Sequence, residues 1–207
     1  MKHNVDDTSV VGMDGHVLIR DIDTGEVLLN KHNAINFYNM SIALTKLLAG
    51  ELDENATAFN ITSLELGNGG TIIDGSGNVF YKTPNVATTD STLYAQTYSK
   101  DITTATAQNK IDSITYTSKV WSDVVVTATL DYLEPADGAP SVTNGKTFDE
   151  DQSDIDNDNG AGFYVFDEMA LKTASGKFLT HLIFHPIEKS ANRKLEIIYT
   201  IRITAGA

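Results

Sequence analysis

The sequence contains no cysteine. That removes disulfides, thiolate zinc and iron–sulfur centres and thiol nucleophiles together, and it points to a product made in a reducing cytosol. Basic residues are also scarce, with 15 Lys and Arg against 28 Asp and Glu, a formal net charge of −13 and a pI of about 4.6. Such a field repels phosphate backbones and anionic lipid, so neither nucleic acid nor a membrane surface is an expected partner. No stretch approaches the ~18 consecutive apolar residues of a membrane span, and the start, with Asp6 and Asp7, lacks an apolar run of signal-peptide length. Glycosylation patterns at Asn39, Asn55 and Asn60 are read as chance in a chain off the secretory route.

What is present is an ordinary globular composition, 41% hydrophobic and 21% charged over 207 residues, enough to bury a sizeable core. His16–Arg20 and Glu26–Asn30 flank a polar Gly-containing turn and read as a hairpin. Ile42, Ala43, Leu44, Leu47 and Leu48 recur at helical spacing, which predicts one short helix near residues 40–49, capped by Asn39 or Ser41 and stopped by Gly50. Phe59–Leu66 reads as a strand, and 67–92, with Gly67-Asn-Gly-Gly70 and Asp74-Gly-Ser-Gly77, as a long irregular excursion.

Period-2 alternation dominates the second half. It places Val124, Val126, Ala128 and Leu130 on one face of a strand, and Leu195, Ile197, Tyr199, Ile201 and Ile203 on one face of another. Phe163–Leu171 and Phe178–His185 form a further hairpin around Thr173–Lys177, with Pro186 ending its second strand. Many short strands and a single helix predict a mainly β fold, an antiparallel β-sandwich of jelly-roll or Ig-like type with long loops. The expected organisation is an N-terminal arm over 1–14 and a single sandwich domain over 15–207, carrying the 67–92 excursion and an acidic loop at 149–160.

Within that loop Asp154, Asp156 and Asp158 alternate as oxygen ligands do in calcium sites. An EF-hand beginning at Asp154 needs Gly at Asn159 and Glu at Val165, so any site there is of another kind, and solvated charge is the plainer reading. The Gly67 stretch lacks the third glycine of a dinucleotide loop, since Ile72 stands there, and Gly145-Lys-Thr147 lacks the leading glycine of a P-loop, since Pro140 stands there. Both are read as turns. His181 and His185, four strand residues or about 13 Å apart, are too distant to share one metal ion and are read as polar tips on a sheet surface. Tyr94, Tyr98, Tyr116, Trp121, Tyr132 and Tyr164 suggest either a sugar platform or core and interface packing, the latter preferred. Asn192-Arg-Lys194 is read as solvated charge or a rim contact.

Three groups of residues carry a resemblance. They are Leu66-Gly-Asn-Gly-Gly-Thr71 with Thr83-Pro-Asn85, Leu93-Tyr94 and Gln96-Thr-Tyr98; Phe166–Leu171 with Leu179–Ile187, Lys189, Asn192-Arg193 and Leu195–Ile203; and Gly15–Asp21 with Asn30–Ile35. Together they resemble virion structural proteins of large tailed bacteriophages. The resemblance implies a non-enzymatic building block of a tail, neck, collar or baseplate, assembled in the host cytoplasm as a homo-oligomer with other virion proteins and needing no cofactor. A capsid decoration protein and a carbohydrate-binding module are the alternatives. Residues 1–14 and 67–92 are expected to be interface elements ordered mainly by neighbours.

Overall fold

A computed structural model describes residues 10–49, 59–135 and 163–206. Among them one helix, α1 (Phe37–Ala49), accompanies eleven strands. These are β1 (Val10–Asp21), β2 (Val27–Ile35), β3 (Ile61–Gly67), β4 (Thr71–Ile73), β5 (Val79–Tyr81), β6 (Gln96–Asp101), β7 (Lys110–Thr115), β8 (Trp121–Leu130), β9 (Phe163–Thr173), β10 (Thr180–Ser190) and β11 (Leu195–Gly206). Nine of them make one antiparallel sheet in the order β6-β3-β9-β10-β2-β1-β11-β8-β7, and β4 and β5 form a separate hairpin.

β1 lies between β2 and β11 and pairs along its whole length with β11, from Val10 opposite Gly206 to Asp21 opposite Leu195. The β1–β2 turn is closed by Asp21, whose Oδ1 accepts from the backbone N–H groups of Asp23 and Thr24, and by Gly25 at φ +74°. The two halves of the sheet join where β2 and β10 pair, through only Thr180 opposite Ile35 and His181 opposite Ala34. There the sheet curls. Val17 and Ile19 of β1, Val126 and Leu130 of β8 and Ile197 and Tyr199 of β11 thus share one apolar cluster with Leu64, Leu66, Met169, Leu171, Leu182 and Phe184 of the other half. The mainly β, antiparallel, sandwich-like class with a single helix is as the alternation of apolar residues predicts.

Several boundaries differ. The helix starts at Phe37, three residues before the expected position, because Asn36 is the cap: its Oδ1 accepts the Asn39 N–H at 3.1 Å. Asn39 is buried inside the helix, donating to the carbonyls of Phe178 and Thr89. Pro186 does not end its strand, since β10 runs on to Ser190 through a register shift between Ile183 and Ile187, where proline's missing N–H breaks no ladder bond. Residues 10–14 of the expected arm belong to β1. The 67–92 excursion is not irregular throughout, for Thr71–Ile73 pairs with Val79–Tyr81. The whole acidic loop at 149–160, with Asp154, Asp156 and Asp158, lies outside the described residues.

Candidate functional site

The densest buried polar cluster grows from adjacent residues of β9. Asp167 and Glu168 are both fully buried, a costly placement for carboxylates unless hydrogen bonds replace water. The ends of the excursion supply them. Glu168 Oε1 accepts the backbone N–H groups of Gly69 at 3.0 Å and Ala95 at 2.7 Å. Its Oε2 accepts the Tyr94 N–H at 2.9 Å and His181 Nε2 at 3.0 Å. Asp167 takes the Gly70 N–H on Oδ1 and the Thr71 N–H and hydroxyl on Oδ2. Burial alone would raise the pKa of Glu168, but the bonds from His181, Ala95 and Tyr94 outweigh it and leave the carboxyl below its ordinary range.

His181, on β10, is 1% exposed. Its Nδ1 accepts the Asn85 N–H at 2.8 Å, which places the ring proton on Nε2, facing Glu168. Both ring nitrogens are therefore occupied inside the protein. A carboxylate that orients an imidazole resembles two-thirds of a catalytic triad, yet the position a nucleophile would occupy is held by a backbone amide. Chemically the arrangement is a latch that ties residues 68–95 to β9 and β10. The expectation that His181 is a polar tip on the surface is thus corrected, because Glu168 and Asn85 give it the partners that burial demands. His185, within the β10 register shift, is exposed, with Nδ1 3.2 Å from the Tyr81 hydroxyl.

Glycine makes the latch possible. A Cβ on Gly67 would lie 2.4 Å from the Ala95 carbonyl oxygen, and one on Gly69 would lie 2.6 Å from the Ala95 nitrogen. The Gly67-Asn-Gly-Gly70 run serves close backbone approach rather than a phosphate. The excursion is fastened further by Asn36 Nδ2 on the Thr88 carbonyl, Lys82 N–H on the Gly70 carbonyl and Leu93 packed against Ala170 and Phe178. The expectation that 67–92 is ordered mainly by neighbouring proteins is corrected accordingly: its anchors lie within the chain.

A further buried carboxylate, Glu65 on β3, receives the hydroxyls of Ser63 and Ser99, the amide of Gln96 and Lys172 Nζ at 3.1 Å. The one fully buried cation among the described residues is Lys189, which donates to the Ser190 carbonyl at 3.0 Å and whose pKa burial lowers to about 8.

The six aromatic residues do not converge on a platform. Tyr94 lies under Lys82 and beside His181, with its hydroxyl on the Thr83 carbonyl. Tyr98 donates to Glu134 and Tyr132 to Asp23. Trp121 meets Tyr116 and is flanked by Lys119 and Arg202, and Tyr164 stacks on Phe166. The basic cluster is likewise used internally, Arg193 on Asp21 at 2.8 Å and Lys194 on Asp131 at 3.0 Å. One pair escaped the sequence reading: His16 and His32 face each other across β1 and β2, ring centroids 5.5 Å apart, with Asn30 and Asp14 as their partners. Hairpin register brings them together, which linear spacing does not reveal. Among the described residues, no group of three His, Asp or Glu side chains is arranged to hold a metal ion.

Compared with known proteins, the chain matches no family model, no curated protein and no solved structure. The reading of function therefore rests on residues and geometry.

Proposed function

We propose that this chain is a non-enzymatic structural component of a tailed bacteriophage virion, in the tail, neck, collar or baseplate, assembled in several copies alongside other virion proteins in the host cytoplasm. One observation carries the assembly part of this reading. The outward face of α1 presents Phe37, Tyr38 and Leu48 to solvent, exposed by 60%, 58% and 89%. A helix apolar on both faces is ordinarily covered on both. The β4–β5 hairpin adds Ile72, Phe80 and Tyr81, each more than half exposed. The latch supports the same reading, because it commits the best-formed acid–imidazole pair to holding the fold. The resemblance of the sequence to virion proteins supplies the setting.

Gold labelling of phage particles from the source lysate, with an antibody to this protein, tests it. Label at the neck, tail or baseplate is the expected result, and label over the capsid would replace it with a decoration role. Unlabelled particles, together with glycan binding that Tyr94→Ala or Trp121→Ala abolishes in a folded protein, would overturn it in favour of carbohydrate recognition.

A further inference from the structure

The nine-stranded sheet has two edges, β6 and β7, and they differ. β6 is capped: Tyr98 and Lys100 both donate to the carboxylate of Glu134, which holds residues 131–135 beside it. Among the described residues β7 pairs with β8 alone, in continuous register from Lys110 opposite Thr127 to Thr115 opposite Ser122. Its sequence, Lys-Ile-Asp-Ser-Ile-Thr, contains no proline, and its pairing has no bulge. Edge strands are usually guarded by those devices or by charges turned toward the core. Here Ile111, opposite the buried Val126, faces inward, remains 39% exposed and lines an apolar cavity of about 670 Å³ with Val124, Ile201 and Ile203. The charges, Lys110 and Asp112, sit on the outer face opposite Thr127 and Val125 and pair with each other at 2.7 Å.

We propose that β7 pairs antiparallel with β7 of a second copy of this chain, in the register that sets Ile111 opposite Ile111 and each Lys110 opposite Asp112 of the other copy. A two-fold axis normal to the sheet keeps inward faces together, so only registers centred on a residue are allowed. Centring on Asp112 opposes two carboxylates and centring on Lys110 opposes two amines, both unfavourable for directly facing pairs. Centring on Ser113 or Ile114 gives the charges no opposite partner. Centring on Ile111 alone pairs both charges and joins the two inward isoleucines, extending the apolar lining across the axis. This pairing deepens the proposed assembly role and rests on that reading for its setting.

The absence of cysteine makes the register directly testable. Facing residues of an antiparallel pair have Cα atoms about 4.5–5.5 Å apart, within disulfide reach. On oxidation Ile111→Cys is expected to give a covalent dimer, whereas Ser113→Cys and Ile114→Cys, displaced from the axis, are not. Sedimentation of the unaltered protein should show a dimer. Lys110→Asp or Asp112→Lys alone should weaken it about tenfold or more, and the exchanged double variant Lys110→Asp/Asp112→Lys should restore it. A monomer at every concentration, cross-linking equal at all three positions, or a dimer indifferent to the charge exchange would each overturn the pairing. These measurements on purified protein report on β7 only and gold labelling reports on location only, so either proposal can fail without the other.

Discussion

In the β3–β9–β10 half, Glu65, Asp167, Glu168 and His181 lie buried, and each has a set of donors or acceptors drawn from the excursion and the neighbouring strands. On the surface, by contrast, α1 and β7 place Phe37, Tyr38, Leu48, Ile111 and Ile114 at least a third exposed to water. Water is thus excluded from groups that prefer it and admitted to groups that do not. The first region gains by it, since a buried carboxylate accepting several N–H bonds fixes those donors in a single geometry. The second gains nothing while the chain stands alone. The difference separates surfaces completed within the chain from surfaces suited to completion by another.

Removing the key of the latch gives the largest expected effect. Glu168→Ala leaves the N–H groups of Gly69, Tyr94 and Ala95 and the ring proton of His181 buried without an acceptor, a loss of about 3–5 kcal/mol by analogy with breaking a buried pair. Urea unfolding should show it, and limited proteolysis should cut within 68–95. An unchanged unfolding midpoint would mean that the bonds of Asp167 and Asn36 and the apolar contacts hold the excursion without Glu168. Gly67→Ala comes next, at about 1–3 kcal/mol, because the obstacle at 2.4 Å is the Ala95 carbonyl, part of the backbone, rather than a side chain able to turn aside. Its loss and that of Glu168→Ala should fall short of additive in the double variant, since both loosen the same crossing.

That crossing also marks where the sequence stops being readable. The strands of β8 and β11 show in the alternation of Val124, Val126, Ala128 and Leu130 and of Leu195, Ile197, Tyr199 and Ile201, because the apolar period is a local property of the chain. The helix shows in its spacing, but its cap does not, for Asn36 competes with Asn39 and Ser41 as an equally good local choice. The latch is invisible, since Glu168 meets Gly69 and Ala95 from 99 and 73 residues away. The only local hint is a pair of acids, Asp167 and Glu168, inside an otherwise apolar strand. His181 misleads for the same reason: a histidine within a strand looks like a surface tip until its partners are known.

Acid sharpens the comparison with a smaller effect. Asp21 is held down to about 2 by the Thr24 backbone bond and by Arg193, and Glu168 lies below its ordinary 4.5. A carboxyl whose pKa is depressed by folding adds stability that is fully present above its unfolded value and is lost as pH falls through the folded one. The unfolding midpoint should therefore decline from about pH 4.5 downward and keep falling toward pH 2. Glu168→Gln should flatten the upper part of that decline and Asp21→Asn the lower part. A profile that stays level across the range in the unaltered protein would mean that neither carboxylate stabilises the fold.

The smallest effect on stability is expected where the most apolar surface is exposed. Leu48 projects from α1 at 89% exposure and Phe37 at 60%, so Leu48→Ser removes almost no burial and should shift stability by no more than about 0.5 kcal/mol, and Phe37→Ser, which gives up the covered part of its ring, by about 1–2 kcal/mol. Serine is a weaker helix former than leucine, which accounts for a few tenths of that at Leu48. What should change is behaviour in company: the double variant is expected to stay soluble at higher concentration and to enter particles less efficiently than the unaltered protein. Unfolding measurements on the dilute protein and the ratio of particle-bound to free protein after assembly separate the two readouts. A large loss of stability in the dilute monomer would mean that these side chains are packed within the chain after all, and the contrast between the two regions would then disappear at α1. Losses within these bounds with impaired incorporation would place the function of α1 at an interface, because a helix face that contributes little to its own fold has chiefly a neighbour left to stabilise.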